Sequence, residues 1–163
     1  MEINLSHVIT SIIAFIIGLI VKTLLDHNLA IWIVKYCHKT PVRFIYRTNP
    51  IKLAGDWEQN WSFSNAKKNY KKDTERHSFT EVKQLGKYLY CEFYSRNDKF
   101  YFFGEIKNSF VVGTWGEIYD ENSYHGSFEL RIIDSSNLQG KWIGHSKFQP
   151  KINADEWIWS KKN

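Results

Sequence analysis

SFTEVKQLGKYLYCEFYSRNDKFYFFGEIKNSFVVGTWGEI, residues 78–118, is the stretch that decides the fold. It holds four runs of strand character, at 78–85, 87–94, 100–106 and 111–118, rich in Tyr, Phe and Val. Aromatic and β-branched side chains pack well on a pleated surface. Gly86, Arg96-Asn97-Asp98 and Lys107-Asn108-Ser109 separate the runs and suit tight reversals. None of the runs has a helical period, so the spacing predicts an unbroken antiparallel meander.

Working outward, a run at 53–63 places Trp57, Gln59, Trp61 and Phe63 on one face, and further runs follow at 124–133, 138–148 and 156–161. Eight strands joined by short sequential hairpins predict closure into a lipocalin-like up-and-down β-barrel, which removes exposed sheet edges. Composition agrees, with aromatic residues at 17% of the chain and seven Trp among them. An echo runs through the strands: Gly55-Asp56-Trp57, Gly113-Thr114-Trp115 and Gly140-Lys141-Trp142 share Gly-x-Trp, with Gly126-Ser127-Phe128 as a variant. A glycine in a strand permits sharp coiling, and a ring two residues on lies on the same face and fills the space it leaves. These rings suit barrel corners and a core, and their number leaves room for aromatic contact with a ligand.

Ahead of the β region the chain reads VITSIIAFIIGLIVKTLL at 8–25, with Lys22 as its one charge. Extended back to Leu5, this is about the length that crosses a hydrocarbon core, and it predicts a transmembrane helix. Glu2 is acidic and no small-residue cleavage motif follows, so the segment is expected to stay attached. A second apolar stretch at 29–34 is too short to span, and is expected to continue the helix or lie in the interface. Lys35, His38, Lys39, Arg43 and Arg47 then place the C-terminal side in the cytoplasm, giving the expectation of a single-pass membrane protein. Pro41 and Asn49-Pro50 mark a linker, dividing the chain into an anchor at 1–48 and a β domain at 49–163.

A net charge of +5 favours an anionic partner, for which lipid head groups, nucleotides and nucleic acid all qualify. The loop 64–76 sets Lys67, Lys68, Lys71, Lys72 and Arg76 against Asp73 and Glu75. It serves either as a solvated loop or as a contact for anionic lipid or phosphate. Cys37 and Cys91 have neither metal-ligand nor disulfide spacing and are expected as free thiols. There is no phosphate-binding Gly-rich loop, nucleophile elbow, His-Glu-x-x-His or paired-Cys motif, so neither an enzyme nor a metal site is expected. Among the scattered histidines, His125 and His145 fall on late strands where they can converge.

A membrane anchor followed by a small barrel carrying Gly-Thr-Trp at 113–115, Tyr-His-Gly-Ser-Phe-Glu-Leu at 124–130, Gly-Lys-Trp-Ile-Gly at 140–144 and Trp-Ile-Trp-Ser-Lys-Lys at 157–162 resembles a known family. It is similar to the membrane-anchored β-barrel effectors of CBASS, the cyclic-oligonucleotide anti-phage systems of bacteria. That family usually has two transmembrane helices, and here the second stretch is too short. The resemblance implies that the barrel binds a cyclic di- or oligonucleotide made by a partner nucleotidyltransferase, with no other cofactor and no DNA or RNA. The bound protein then forms a homo-oligomer among the membrane lipids and disrupts the membrane, causing abortive infection. Related systems hold similar receptors inactive with the nucleotide, so the sign of regulation stays open.

Purine faces stack on aromatic rings, and phosphates attract Arg, Lys and hydroxyl donors. On those grounds Trp115, Tyr119, Tyr124, His125, Ser127, Arg131, Lys141 and His145 are the candidate ligand residues. His125, Ser127 and Arg131 share one face of their strand, opposite Tyr124 and Phe128, so strict alternation cannot point all of them inward. Two other readings remain: a tethered barrel that binds a protein partner, and a lipocalin-type carrier of apolar ligands. The carrier needs a mostly uncharged lumen, against which Arg131 and Lys141 argue if they face inward.

Overall fold

A computed structural model describes the backbone of residues 5–26, 29–40, 50–62, 76–120, 123–146 and 149–162. The chain divides into two compact units, Met1–Ile33 and Val34–Asn163. This division falls upstream of the proline linker, because the second unit includes the end of a helix as well as the barrel.

In the first unit, helix α1 covers Leu5–Asp26. Its described side chains, positions 9–22, are all exposed, among them Ile9, Ile13, Phe15, Ile16, Leu19 and Ile20. Among the described residues no helix is long and apolar enough to cross a membrane. Helix α2 covers Leu29–Cys37, so the short apolar stretch runs on past Val34 as a helix.

The meander forms as β2 (His77–Leu85), β3 (Tyr88–Ser95), β4 (Asp98–Lys107) and β5 (Phe110–Glu117). With β1 (Gly55–Trp61), β6 (His125–Ile132), β7 (Asn137–Ser146) and β8 (Gln149–Lys161) it makes a closed antiparallel barrel of eight strands in sequence order. Closure is the pairing of β1 with β8, from Trp57 opposite Lys161 to Trp61 opposite Trp157. Turn chemistry matches the sequence at two of the three reversals, where Gly86 (φ 58°) and Asn108 (φ 55°) take left-handed conformations that both residue types tolerate. At the third the left-handed residue is Arg96 (φ 59°), which lacks that tolerance.

Strand β8 begins earlier than the 156–161 run. Its first half, with Pro150, Asn153 and Asp155, has poor strand propensity. It pairs with β7 all the same, Asn153 opposite Gly144 and Asp155 opposite Trp142. The ladder overrides propensity, as tertiary pairing in sheets often does.

Side chains of alternate parity fill the interior. Trp57, Leu89, Cys91, Phe102, Val111, Leu130 and Trp159 are fully buried. Phe102 stacks on Phe128 with centroids 4.0 Å apart, and Trp157 meets the edges or faces of Phe93, Phe102, Phe128 and Trp159. An eight-stranded barrel is just wide enough for such filling. Both cysteines are free, and burial pushes the Cys91 thiol up to about 12.

One end of the barrel is stoppered by the chain that enters it. Leu53 is wholly buried, and its carbonyl accepts the Trp57 indole N–H at 2.7 Å. Gln84 fastens this segment with both ends of its amide. Its oxygen accepts the N–H groups of Leu53 (2.7 Å) and Ala54 (3.2 Å), and its nitrogen donates to the carbonyls of Ile51 and Gly86 (both 2.9 Å).

On the outer wall, the last turn of α2 seats on β3. Val34 and Tyr90 are buried there, and Glu92 accepts from the Tyr90 hydroxyl at 2.6 Å while pairing with Lys35 and Lys99. Burial opposes the ionisation of Glu92, but the hydrogen bonds from Lys35, Lys99 and Tyr90 outweigh it and hold the carboxyl at about 2.

Two outcomes follow. Gln84→Ala leaves several backbone groups of the stopper unpaired and should lower stability by about 2–4 kcal/mol in chemical denaturation. Glu92 has a folded value below the ordinary 4.5, so its stabilisation is complete above about pH 4.5 and is lost as pH falls toward 2. Glu92→Gln should cost about 2 kcal/mol at pH 7 and flatten the acid limb of a stability profile measured between those limits.

Candidate functional site

The end opposite the stopper is rimmed by aromatic rings. Inward-facing residues near the ends of five strands form a chain of contacts: Trp61 (β1) with Phe93 (β3) at 6.0 Å, and Phe93 stacked on Phe100 (β4) at 5.6 Å. It continues from Phe100 to Trp115 (β5) at 6.0 Å, then from Trp115 to the edge of Trp142 (β7) at 6.0 Å. The circuit closes when the Trp142 indole N–H donates to the Ser62 carbonyl at 3.2 Å, one residue beyond Trp61. Ser62 also donates its hydroxyl to Asp155 of β8 at 2.7 Å. Phe93, Phe100 and Trp142 are buried, whereas Trp61, Trp115 and Tyr124 are half-buried against the core and leave part of their rings open.

This rim takes in two of the eight candidate residues, Trp115 and Tyr124. Gly144 makes room for Trp115, since a Cβ there would lie 2.2 Å from the indole. Tyr119, 79% exposed, lies in the β5–β6 connection at the same end. His125 and His145 stand directly opposite each other on β6 and β7, on the outer wall just below the rim, with ring centroids 5.4 Å apart. Ser127, Arg131 and Lys141 also face outward and are exposed, farther along that wall. The same-face grouping of His125, Ser127 and Arg131 holds, and the shared face is the exterior. The lumen therefore receives neither Arg131 nor Lys141, and their charges do not bear on an apolar cargo. Packed rings of Phe102, Phe128, Trp157 and Trp159 occupy that space instead.

Trp61, Phe93, Phe100 and Trp142 were not among the candidates. Period-two parity places Trp61 with Trp57, and hairpin register carries the inward face from Phe93 through Phe100 to Trp115. That register was the available signal. Below the rim, Gln59 is fully buried and its oxygen accepts the Trp157 indole N–H at 2.9 Å. Gln59 Nε2 and the buried Trp159 Nε1, on paired positions of β1 and β8, have no hydrogen-bond partner among the described residues.

The basic loop lies outside the described residues except for Arg76. Among the described residues no group of three or more His, Cys, Asp and Glu side chains is placed to hold a metal ion. No protein-family model matches the chain, and no curated protein matches it.

Because Arg131 and Lys141 are exposed on the wall, Arg131→Ala and Lys141→Ala should each change stability by less than about 0.5 kcal/mol in urea denaturation. A larger loss at either position would mean that it packs against something the outward placement omits.

Proposed function

We propose that the protein is a membrane-anchored receptor whose barrel binds a cyclic di- or oligonucleotide at its aromatic-rimmed end. The bound protein then self-associates in the bacterial inner membrane and disrupts it. The observation that carries the ligand reading is the run of ring contacts from Trp61 to Trp142 with Trp61 and Trp115 partly open and half-buried Tyr124 at the same end, because base faces stack on such side chains at about 1–3 kcal/mol per base. A net charge of +5 favours an anionic ligand.

The anchor reading rests on the sequence at 5–25 and on the exposure of α1. Its apolar side chains from Ile9 to Val21 are uncovered on all sides, a pattern suited to lipid and costly in water. The resemblance to CBASS effectors agrees with this order of parts. A tethered interaction protein is the second reading. It is favoured by the exposed Ile143, Ile152 and Ile158 on β7 and β8, which offer apolar surface to a protein partner.

Full-length protein in detergent, screened against cyclic di- and trinucleotides, should show a rise in Tm with at least one of them. Binding to the folded state alone stabilises it by about 2.7 kcal/mol at a hundredfold excess over Kd. Trp115→Ala should reduce the shift, whereas Arg131→Ala should leave it intact. Ile16→Asp should abolish toxicity in cells and preserve the shift. If no nucleotide in the panel moves Tm, the interaction reading replaces this one. Alkaline phosphatase activity from a fusion after Asn163 would overturn the cytosolic placement of the barrel.

A further inference from the structure

The geometry points to the His125–His145 pair as a surface site for a divalent transition-metal ion such as zinc, nickel or copper(II), completed by water. The two imidazoles project from directly opposed positions of β6 and β7, both exposed, with ring centroids 5.4 Å apart. The rings are stacked, 23° between their planes. An imidazole lone pair lies in its ring plane, so both rings must turn to aim at one ion. With metal–nitrogen bonds of about 2.0–2.1 Å, the 5.4 Å between centroids is within the reach of two rings sharing an ion once they have turned. The broad χ2 well of histidine and the exposure of both rings permit that rotation.

A second observation concerns the tautomer. His125 Nδ1 lies 2.9 Å from the carbonyl oxygen of Ser123. A carbonyl only accepts, so Nδ1 carries the hydrogen, and in the neutral ring Nε2 is the nitrogen that holds the lone pair. Metal-bound histidines are usually held in this way, with the far ring nitrogen donating to a carbonyl that sets orientation and basicity. Ser123 is a firm support, since it is buried and its own N–H donates to the Asp120 carbonyl at 3.0 Å. His77 makes the contrast: its Nε2 is bonded to Glu58 at 2.7 Å and is not free to ligate. Two protein ligands leave the other positions to water, so the ion is exchangeable. Imidazole donors favour copper(II) over nickel and zinc. This site does not depend on the nucleotide reading.

The test uses tag-free full-length protein in detergent, titrated with copper(II) and with zinc. The expected result is one ion per chain, with a copper EPR spectrum showing coupling to two imidazole nitrogens. His125→Asn and His145→Asn should each weaken binding at least tenfold, and His77→Asn should leave it unchanged. Both positions are exposed, and matching thermal melts without metal would show that the asparagine variants keep the fold. Wild-type affinity in either His125→Asn or His145→Asn, coupling to fewer than two nitrogens, or no binding by the wild type would overturn the proposal.

Discussion

Filling a lumen of fixed width is the constraint on which this structure depends. Eight strands enclose room for side chains and little else, so each inward position is decided by volume. Six bulky rings, Trp57, Phe93, Phe102, Phe128, Trp157 and Trp159, take up most of it. Glycine is then required where strands coil tightly enough to bring backbone against backbone. A Cβ at Gly113 would lie 2.0 Å from the Phe103 carbonyl oxygen, and one at Gly140 would lie 1.9 Å from that of Glu129. Gly113-Thr114-Trp115 and Gly140-Lys141-Trp142 are the local sign of this exchange, with backbone approaching at the glycine and ring volume returning two residues later on the same face, whereas Gly55 faces only the Lys161 side chain and is there for its positive φ of 125°.

The meander from β2 to β5 was legible because everything that specifies it is local: short turns, aromatic runs and period-two alternation. The first half of β8 was not, because Asn153 and Asp155 are strand residues only through their pairing with β7. For the site, parity was legible and direction was not. His125, Ser127 and Arg131 do share a face, but which face looks inward follows from the burial of Phe128 and Leu130 between neighbouring strands. The aromatic circuit joins rings spread from position 61 to position 142, so no window of sequence contains it. The seating of Lys35 on Glu92 is equally nonlocal.

The two ends of the barrel differ in chemistry as well as in access. At the stopper, polar groups are matched: the Gln84 amide meets four backbone partners and the Trp57 indole meets a carbonyl. Toward the rim, Gln59 Nε2 and Trp159 Nε1 remain unmatched among the described residues, which costs stability because buried donors are normally satisfied. The wall outside is different again, with Lys35 and Lys99 neutralising the one carboxylate they share.

The stopper and the Glu92 cluster also have a mechanical meaning. Chain upstream of the barrel is fixed twice, first where Val34 and Lys35 seat on β3 and again where Leu53 enters under Gln84. A pull arriving from the N-terminal side is borne by the first fixing before it reaches the second, as a cable clamp spares a soldered joint. Strand β1 and the aromatic rim at its far end are thereby shielded from load on the N-terminal segment.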